Sequence, residues 1–445
     1  MGAIALVLAF VPFTAQAESL RQALERAYAN NPDLMSALLS VQSAAEDIAL
    51  RKAGKLPTIS LNANVGAGFA VTNGTATASH SYSLGMAYRQ TLFDNFKTES
   101  QIEQARAFSE LTTYALRNAE QNVLLSVATA YMSVSRDTQL VQLREGNVAF
   151  FQAQADSAEQ RLRLGEGTRI DVSQAQSRLA QSVASYRSAI ASLQTSQASY
   201  QRWVGHKPQN LSQDLGFTGL IPSSIDAAVA SAEERHPAIL GARASIRAAM
   251  AGADAAKATF GPTLNLIGSL CAVGCFGGNP DQPGMTGSVG LQLSIPLYAG
   301  GALGASMRKA NIEQIKSEVD ALSARDQVRE SVISAWSALQ NANAQIESAQ
   351  SAVASGQLVV EGLIQERDVG QRTTLDVLNA QAELTSAREG LIGATTSRVI
   401  ASFALIAAAG RLNPVDLGLN VEVKSGEAYT AKVEDIWQEL RSIDE

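Results

Sequence analysis

The chain has little of what enzyme cores and small secreted domains are built from. Of its 445 residues only two are cysteine, which excludes a disulfide-dense scaffold. Three scattered histidines, His80, His206 and His236, supply no ligand set, so no metal centre is expected. Aromatics make up 5% of the residues, and the 46% hydrophobic content therefore falls mostly on Ala, Val and Leu. That composition suits long, closely packed helices. The formal charge of −7 argues against a general nucleic-acid binder, which needs a basic face. No Walker loop, H-E-x-x-H or G-x-S-x-G is present, so neither an enzyme nor a cofactor is expected. Gly66-Ala67-Gly68 precedes no helix that could receive a phosphate. Beyond Ala17 no apolar run approaches the ~20 residues of a membrane helix.

What is present begins with an apolar segment, residues 3–13, followed by Ala15-Gln16-Ala17 and Glu18. This is the pattern of a secretory signal peptide over 1–17, although no Lys or Arg precedes it. No Cys follows the cleavage pattern, so a lipidated N-terminus is not expected. Residues 417–445 form a C-terminal tail, of which Val421–Glu445 is charged and mixed, as in a surface segment.

One offset of 205 residues then recurs along the chain. Ser19–Ala37 resembles Ser224–Ala242, with Pro32 matching Pro237. Pro57-Thr58 matches Pro262-Thr263, Gly165 matches Gly370, Asp171-Val172 matches Asp376-Val377, and Gly205 matches Gly410. Coincidence among Ala-rich helices does not align Pro, Gly and Asp in this way. The chain reads as a tandem duplication: a first repeat over 18–211, a linker over 212–223 and a second repeat over 224–416.

Each repeat follows one plan. A helix leads to alternating segments, about 58–93 and 262–298, which read as β-hairpins. Ile59, Leu61, Val65 and Phe69 alternate with Ser60, Asn62 and Asn64; Val289, Leu291 and Leu293 alternate with Ser288, Gly290 and Gln292. Such strands have the length and two-sided character of an outer-membrane barrel, though a half-buried soluble sheet shows the same period. Pro is then absent from 58 to 207 and from 297 to 413, which permits long helices. Val332, Leu339, Ile346, Val353 and Val360 recur every seven residues, as do Val127, Val134, Val141 and Val148. That spacing predicts coiled-coil packing. Turns at 164–170 and 369–373 send each chain back as a return helix.

Four barrel strands cannot close a barrel, because bacterial barrels start at about eight strands and lipid tolerates no open edge. Two or three copies must combine, and their helices would continue as a tube. The duplicated plan, with Asn31-Pro32, Gln90-Thr91-Leu92-Phe93-Asp94, Ile295-Pro296-Leu297-Tyr298-Ala299-Gly300-Gly301 and the two turn segments, resembles the TolC family of outer-membrane efflux and secretion channels. The resemblance covers essentially the mature chain. It implies a mainly α protein with a membrane β-barrel: a homotrimer with a twelve-stranded barrel in outer-membrane lipid and an α-helical periplasmic tunnel. It also implies a periplasmic adaptor protein and an inner-membrane exporter of ABC or RND type, with no nucleic acid. The tail, with Leu417-Gly418-Leu419 and Val421-Glu422-Val423, looks like members that serve type I protein secretion. Small-molecule efflux with an RND pump is the alternative, and a periplasmic coiled-coil scaffold is the reading from a different class.

The resemblance further implies a periplasmic gate. Arg372 and Asp376 match the family's Arg and the first of its acids, while Asp171 and Gln154 match first-repeat acceptors. Two positions depart from the pattern: Arg367 stands where the family has Tyr, and Asn379 where it has a second Asp. From the residues alone these are simply turn and cap positions. Cys271 and Cys275 end the third strand, and in an exported chain they are expected to form a disulfide in an outer loop. Their spacing permits that bond without requiring it.

Overall fold

In the computed structural model, which describes residues 17–212, 217–272 and 284–436, the Ser19 side chain opens the first helix. It accepts from the Gln22 amide, and Gln22 reaches back to the Ser19 amide, a reciprocal cap that sets the start of α1 (Leu20–Asn30). Asn31 is extended because a following Pro disfavours the helical region, and Pro32 then begins α2 (Pro32–Lys52). His236 and Pro237 do the same between α5 (Ile225–Arg235) and α6 (Pro237–Ala258). The one helix expected before each hairpin is therefore two.

Strands β1 (Thr58–Thr72) and β2 (Thr75–Phe93) are joined by Asn73 and Gly74, with φ of 53° and 82°. This two-residue turn matches the natural twist of antiparallel strands. With β3 (Thr263–Ala272) and β4 (Met285–Ser294) they form one antiparallel sheet in the order β1-β2-β3-β4. The register sorts the side chains by face. Leu61 lies opposite Met86, Met86 opposite Leu270, and Leu266 opposite Leu291. The other face carries Asn64 opposite Ser83 and Ser269 opposite Ser288, with the two hydroxyls of the second pair 2.8 Å apart. Thr91 Oγ1 also donates to Asn265 Oδ1 at 3.2 Å on that face. In the single chain the apolar face is uncovered, Val65 being 89% exposed and Val289 83%.

The helices that follow are unbroken. α3 (Lys97–Arg163) and α7 (Ala302–Asp368) each run for 67 residues, and α4 (Arg169–Val204) and α8 (Thr374–Ala408) return for 36 and 35. Val127, Val134, Val332, Leu339 and Val360 of the seven-residue repeat are buried, while Val141, Val148, Ile346 and Val353 are half-buried. Contrary to the sequence expectation, α8 is long and apolar enough by composition to cross a membrane. Its Val399, Phe403, Leu405 and Ile406 are buried within the protein instead. The Leu, Ile, Val and Phe side chains of its C-terminal half give α8 its apolar character, and burial inside the protein accounts for them equally well.

The chain forms two compact units. One holds the residues up to Ser36 with Arg117–His236 and Gln327–Val423; the other holds Ala37–Leu116, Pro237–Asp326 and the residues from Lys424 on. Each draws on both halves of the sequence, so the compact units and the sequence repeats divide the chain differently. In the first, Leu24, Tyr28, Leu124, Tyr131 and Phe403 belong to one core. There the Tyr131 hydroxyl lies 2.8 Å from the Glu18 carbonyl and 2.6 Å from the Ser212 carbonyl. Burial, assisted by the Glu18 charge, pushes its pKa up to about 12, so it stays a donor. In the second, the sheet is accompanied by the short α9 (Glu427–Val433). Glu434 accepts from Arg106 at 2.7 Å and pairs with Lys52 at 3.0 Å, and Val433 is buried. The expected surface tail is thus strapped down.

Candidate functional site at the helix turns

The turns between the long and return helices are built alike. Gly165 and Gly370 have φ of 78° and 80°, a left-handed conformation that glycine adopts without a Cβ penalty. Glu166 N donates to Arg161 O at 2.9 Å and Gly165 N to Leu162 O at 3.1 Å; Gln371 N and Gly370 N do the same to Glu366 O and Arg367 O. These paired bonds satisfy the last carbonyls of α3 and α7. The return helices start on reciprocal caps. Thr168 and Asp171 exchange bonds at 3.0 and 3.2 Å through amide and side chain, and Thr373 and Asp376 repeat both distances.

Asp171 and Asp376 therefore act first as capping residues. The Thr373 amide, then its hydroxyl, holds the Asp376 carboxyl below its ordinary pKa, with the Arg372 charge a lesser cause. A depressed folded value contributes stability above the usual carboxylate range, and that stability is lost as pH falls through the lowered value. The protection of the amides in the first turn of α8, their exchange measured against the unstructured rate at each pH, should therefore be flat from neutral pH to about 4 and fall below it. Asp376→Asn should remove that acid-dependent step; an unchanged pH profile would discard the cap as its source.

The remaining predicted residues separate clearly. Arg372 Nε meets Glu366 Oε2 at 2.9 Å, on the preceding helix of its own turn, and reaches neither Asp171 nor Gln154. Arg367 makes the long-range contact: Nη1 donates to Gln154 Oε1 at 2.5 Å and Nη2 to Asp368 Oδ1 at 2.8 Å. It is 9% exposed. Asn379 Oδ1 accepts from Arg178 of α4 at 2.8 Å. Cys271 lies on β3 opposite Gly85 and Thr286, whereas Cys275 and the bond expected between them fall outside the described residues.

Sequence reasoning missed several partners. Asn147 Oδ1 of α3 accepts from Gln381 at 3.3 Å and Thr385 at 3.1 Å of α8. Arg144 bonds Glu389 at 2.7 Å and the Ser185 carbonyl at 2.9 Å, tying α3 to α8 and α4 together. Leu378 of α8 is fully buried among Phe151, Ala155 and Ala175. The only advance signal was the polar character of α8's first turns. Together these contacts hold α8 along the turn-side part of α3.

Residues 23–206 and again 228–411 match the Outer membrane efflux protein family, both bounds shifted by 205 residues. The chain belongs to this family. It is 36% identical to the "Outer membrane efflux protein BepC" of Brucella suis biovar 1 (strain 1330), over 99% of the chain and 97% of that protein. It is 26% identical to "Outer membrane protein TolC" of Escherichia coli (strain K12), over 93% and 86%. The fold matches the Campylobacter jejuni CmeC outer membrane channel with a TM-score of 0.79 at 16% identity, covering 94% and 89%. As a member of the outer membrane efflux protein family it is a channel protein of the outer membrane with a periplasmic extension, not an enzyme.

Proposed function

We propose that three copies of the chain close one twelve-stranded barrel and act as the exit duct of a tripartite exporter. The observation that carries this is the four-stranded sheet with an uncovered apolar face and β1 and β4 at its edges. In lipid such edges must pair, and pairing β4 of one copy with β1 of the next removes them. The family's outer-membrane character supports the same reading.

A periplasmic adaptor and an inner-membrane exporter complete the path. The tail sequence around Leu417-Gly418-Leu419 supports type I secretion from an ABC exporter. The "efflux" in the name of the 36% identical relative favours the second reading, small-molecule efflux with an RND pump. Capture of an ABC exporter or an RND pump on the cross-linked channel decides between them. At the turns, the contact of Arg367 with Gln154 supports a gate that holds the second coiled coil against the first.

Neighbouring positions on one strand test the barrel. Val289→Arg puts a charge on the lipid face, at a cost of about 2–4 kcal/mol near the bilayer midplane, and should sharply reduce the assembled form in the outer membrane. Ser288→Arg, on the water face, should be tolerated. Equal tolerance of both would remove the sheet from the membrane.

A further inference from the structure

We infer that Arg89 forms a cationic ring inside the barrel, at its helix-side end, and makes that part of the duct favour anions. This rests on the three-copy barrel proposed above. The four strands contain no Asp, Glu or Lys and a single Arg. That is unlike the chain as a whole, where acids outnumber Lys and Arg by 42 to 35.

Arg89 lies four residues before the end of β2, opposite Thr58 at the start of β1 and Ile267 of β3. The pleat places it with Ala87, Gly85 and Ser83, on the face that carries the Asn64–Ser83 and Thr91–Asn265 bonds. In a barrel the opposite, apolar face must meet lipid, so this face meets water. The side chain is exposed, and no carboxylate pairs with it among the described residues. Thr58 bonds only its backbone carbonyl, at 3.2 Å.

Geometry decides whether three such charges can matter. A twelve-stranded barrel with strands about 4.8 Å apart and tilted about 40° has a backbone radius of roughly 12 Å. An extended Arg reaches about 6 Å inward, leaving each guanidinium about 6 Å from the axis, inside the ~10 Å Debye length at 0.1 M salt. Every ion on the axis therefore passes within range of three like charges.

The test is the reversal potential of the extracted channel in a planar bilayer under a KCl gradient centred near 0.1 M. Measurements use both the wild-type background and one carrying Arg367→Ala, so that a narrow entrance in series does not dominate. Arg89→Gln should raise the K⁺/Cl⁻ permeability ratio by about two-fold or more, Arg89→Glu should raise it further, and Arg89→Lys should preserve it. The differences should fade at 1 M salt, where the Debye length is about 3 Å. An unchanged ratio across these variants in conducting channels overturns the ring and leaves the duct standing. Absence of any conductance with both wild-type and Arg367→Ala protein overturns both.

Discussion

Gly410→Ala is expected to destabilise the protein by about 3–4 kcal/mol, and Gly205→Ala by only about 1–2 kcal/mol. The two glycines occupy matched positions of the repeat and both have positive φ, 73° and 97°. Each substitution carries the cost of an L side chain in a left-handed conformation. Their surroundings differ. A Cβ on Gly410 would stand 2.8 Å from the Cα and N of His236 and 2.9 Å from the Arg235 carbonyl carbon, all backbone atoms that cannot swing away. A Cβ on Gly205 would meet nothing within 4 Å. The extra cost at Gly410 is thus overpacking against the junction of α5 and α6. Thermal dissociation of the extracted assembly measures both, with outer-membrane yield as the second readout where Gly410→Ala does not accumulate. Equal losses would show that the α5–α6 junction moves away freely.

Arg367→Ala is expected to raise single-channel conductance several-fold, more than Arg372→Ser combined with Asp376→Ser. Arg367 is nearly buried and links the end of α7 to Gln154 of α3. Removing it leaves the Gln154 oxygen without its partner and frees one coiled coil from the other. The Arg372–Glu366 pair is exposed, and exposed pairs contribute at most about 1 kcal/mol. Asp376 already spends its carboxylate on the Thr373 cap. The double variant should therefore loosen the α8 start and enlarge the opening modestly. The reverse order of conductances would place the gate at the acidic turn and make Arg367 a packing residue. A single variant that leaves Gln154 in place, Arg367→Lys, should retain part of the closure, because one charged donor survives.

Much of the fold was legible because periodicity and Pro placement report directly on backbone physics. Alternation over 58–93 gave β1 and β2, and the Pro-free stretches gave the four long helices. The 205-residue offset appears again in the two family matches, 23–206 and 228–411. What escaped depended on long-range packing. Arg367 reads as a departure from a family Tyr, and nothing local says that its guanidinium meets a residue 213 positions away. Arg372 looked the better partner because it matches the family's Arg, but it is close to Glu366 and bonds it there. The strap made by Glu434 could not be read from a mixed-charge tail, since Lys52 and Arg106 lie far off in sequence. The apolar character of α8 was hidden because Thr395, Thr396, Ser397, Arg398 and Ser402 interrupt its Leu, Ile, Val and Phe residues.

The central claim is that the strands of three chains close one barrel. The mass of the protein extracted by detergent from the outer-membrane fraction tests it most directly. The account predicts a stable trimer of the 46.8 kDa chain, less any processed leader. A monomer recovered from the soluble periplasm would contradict it and leave a coiled-coil scaffold in its place.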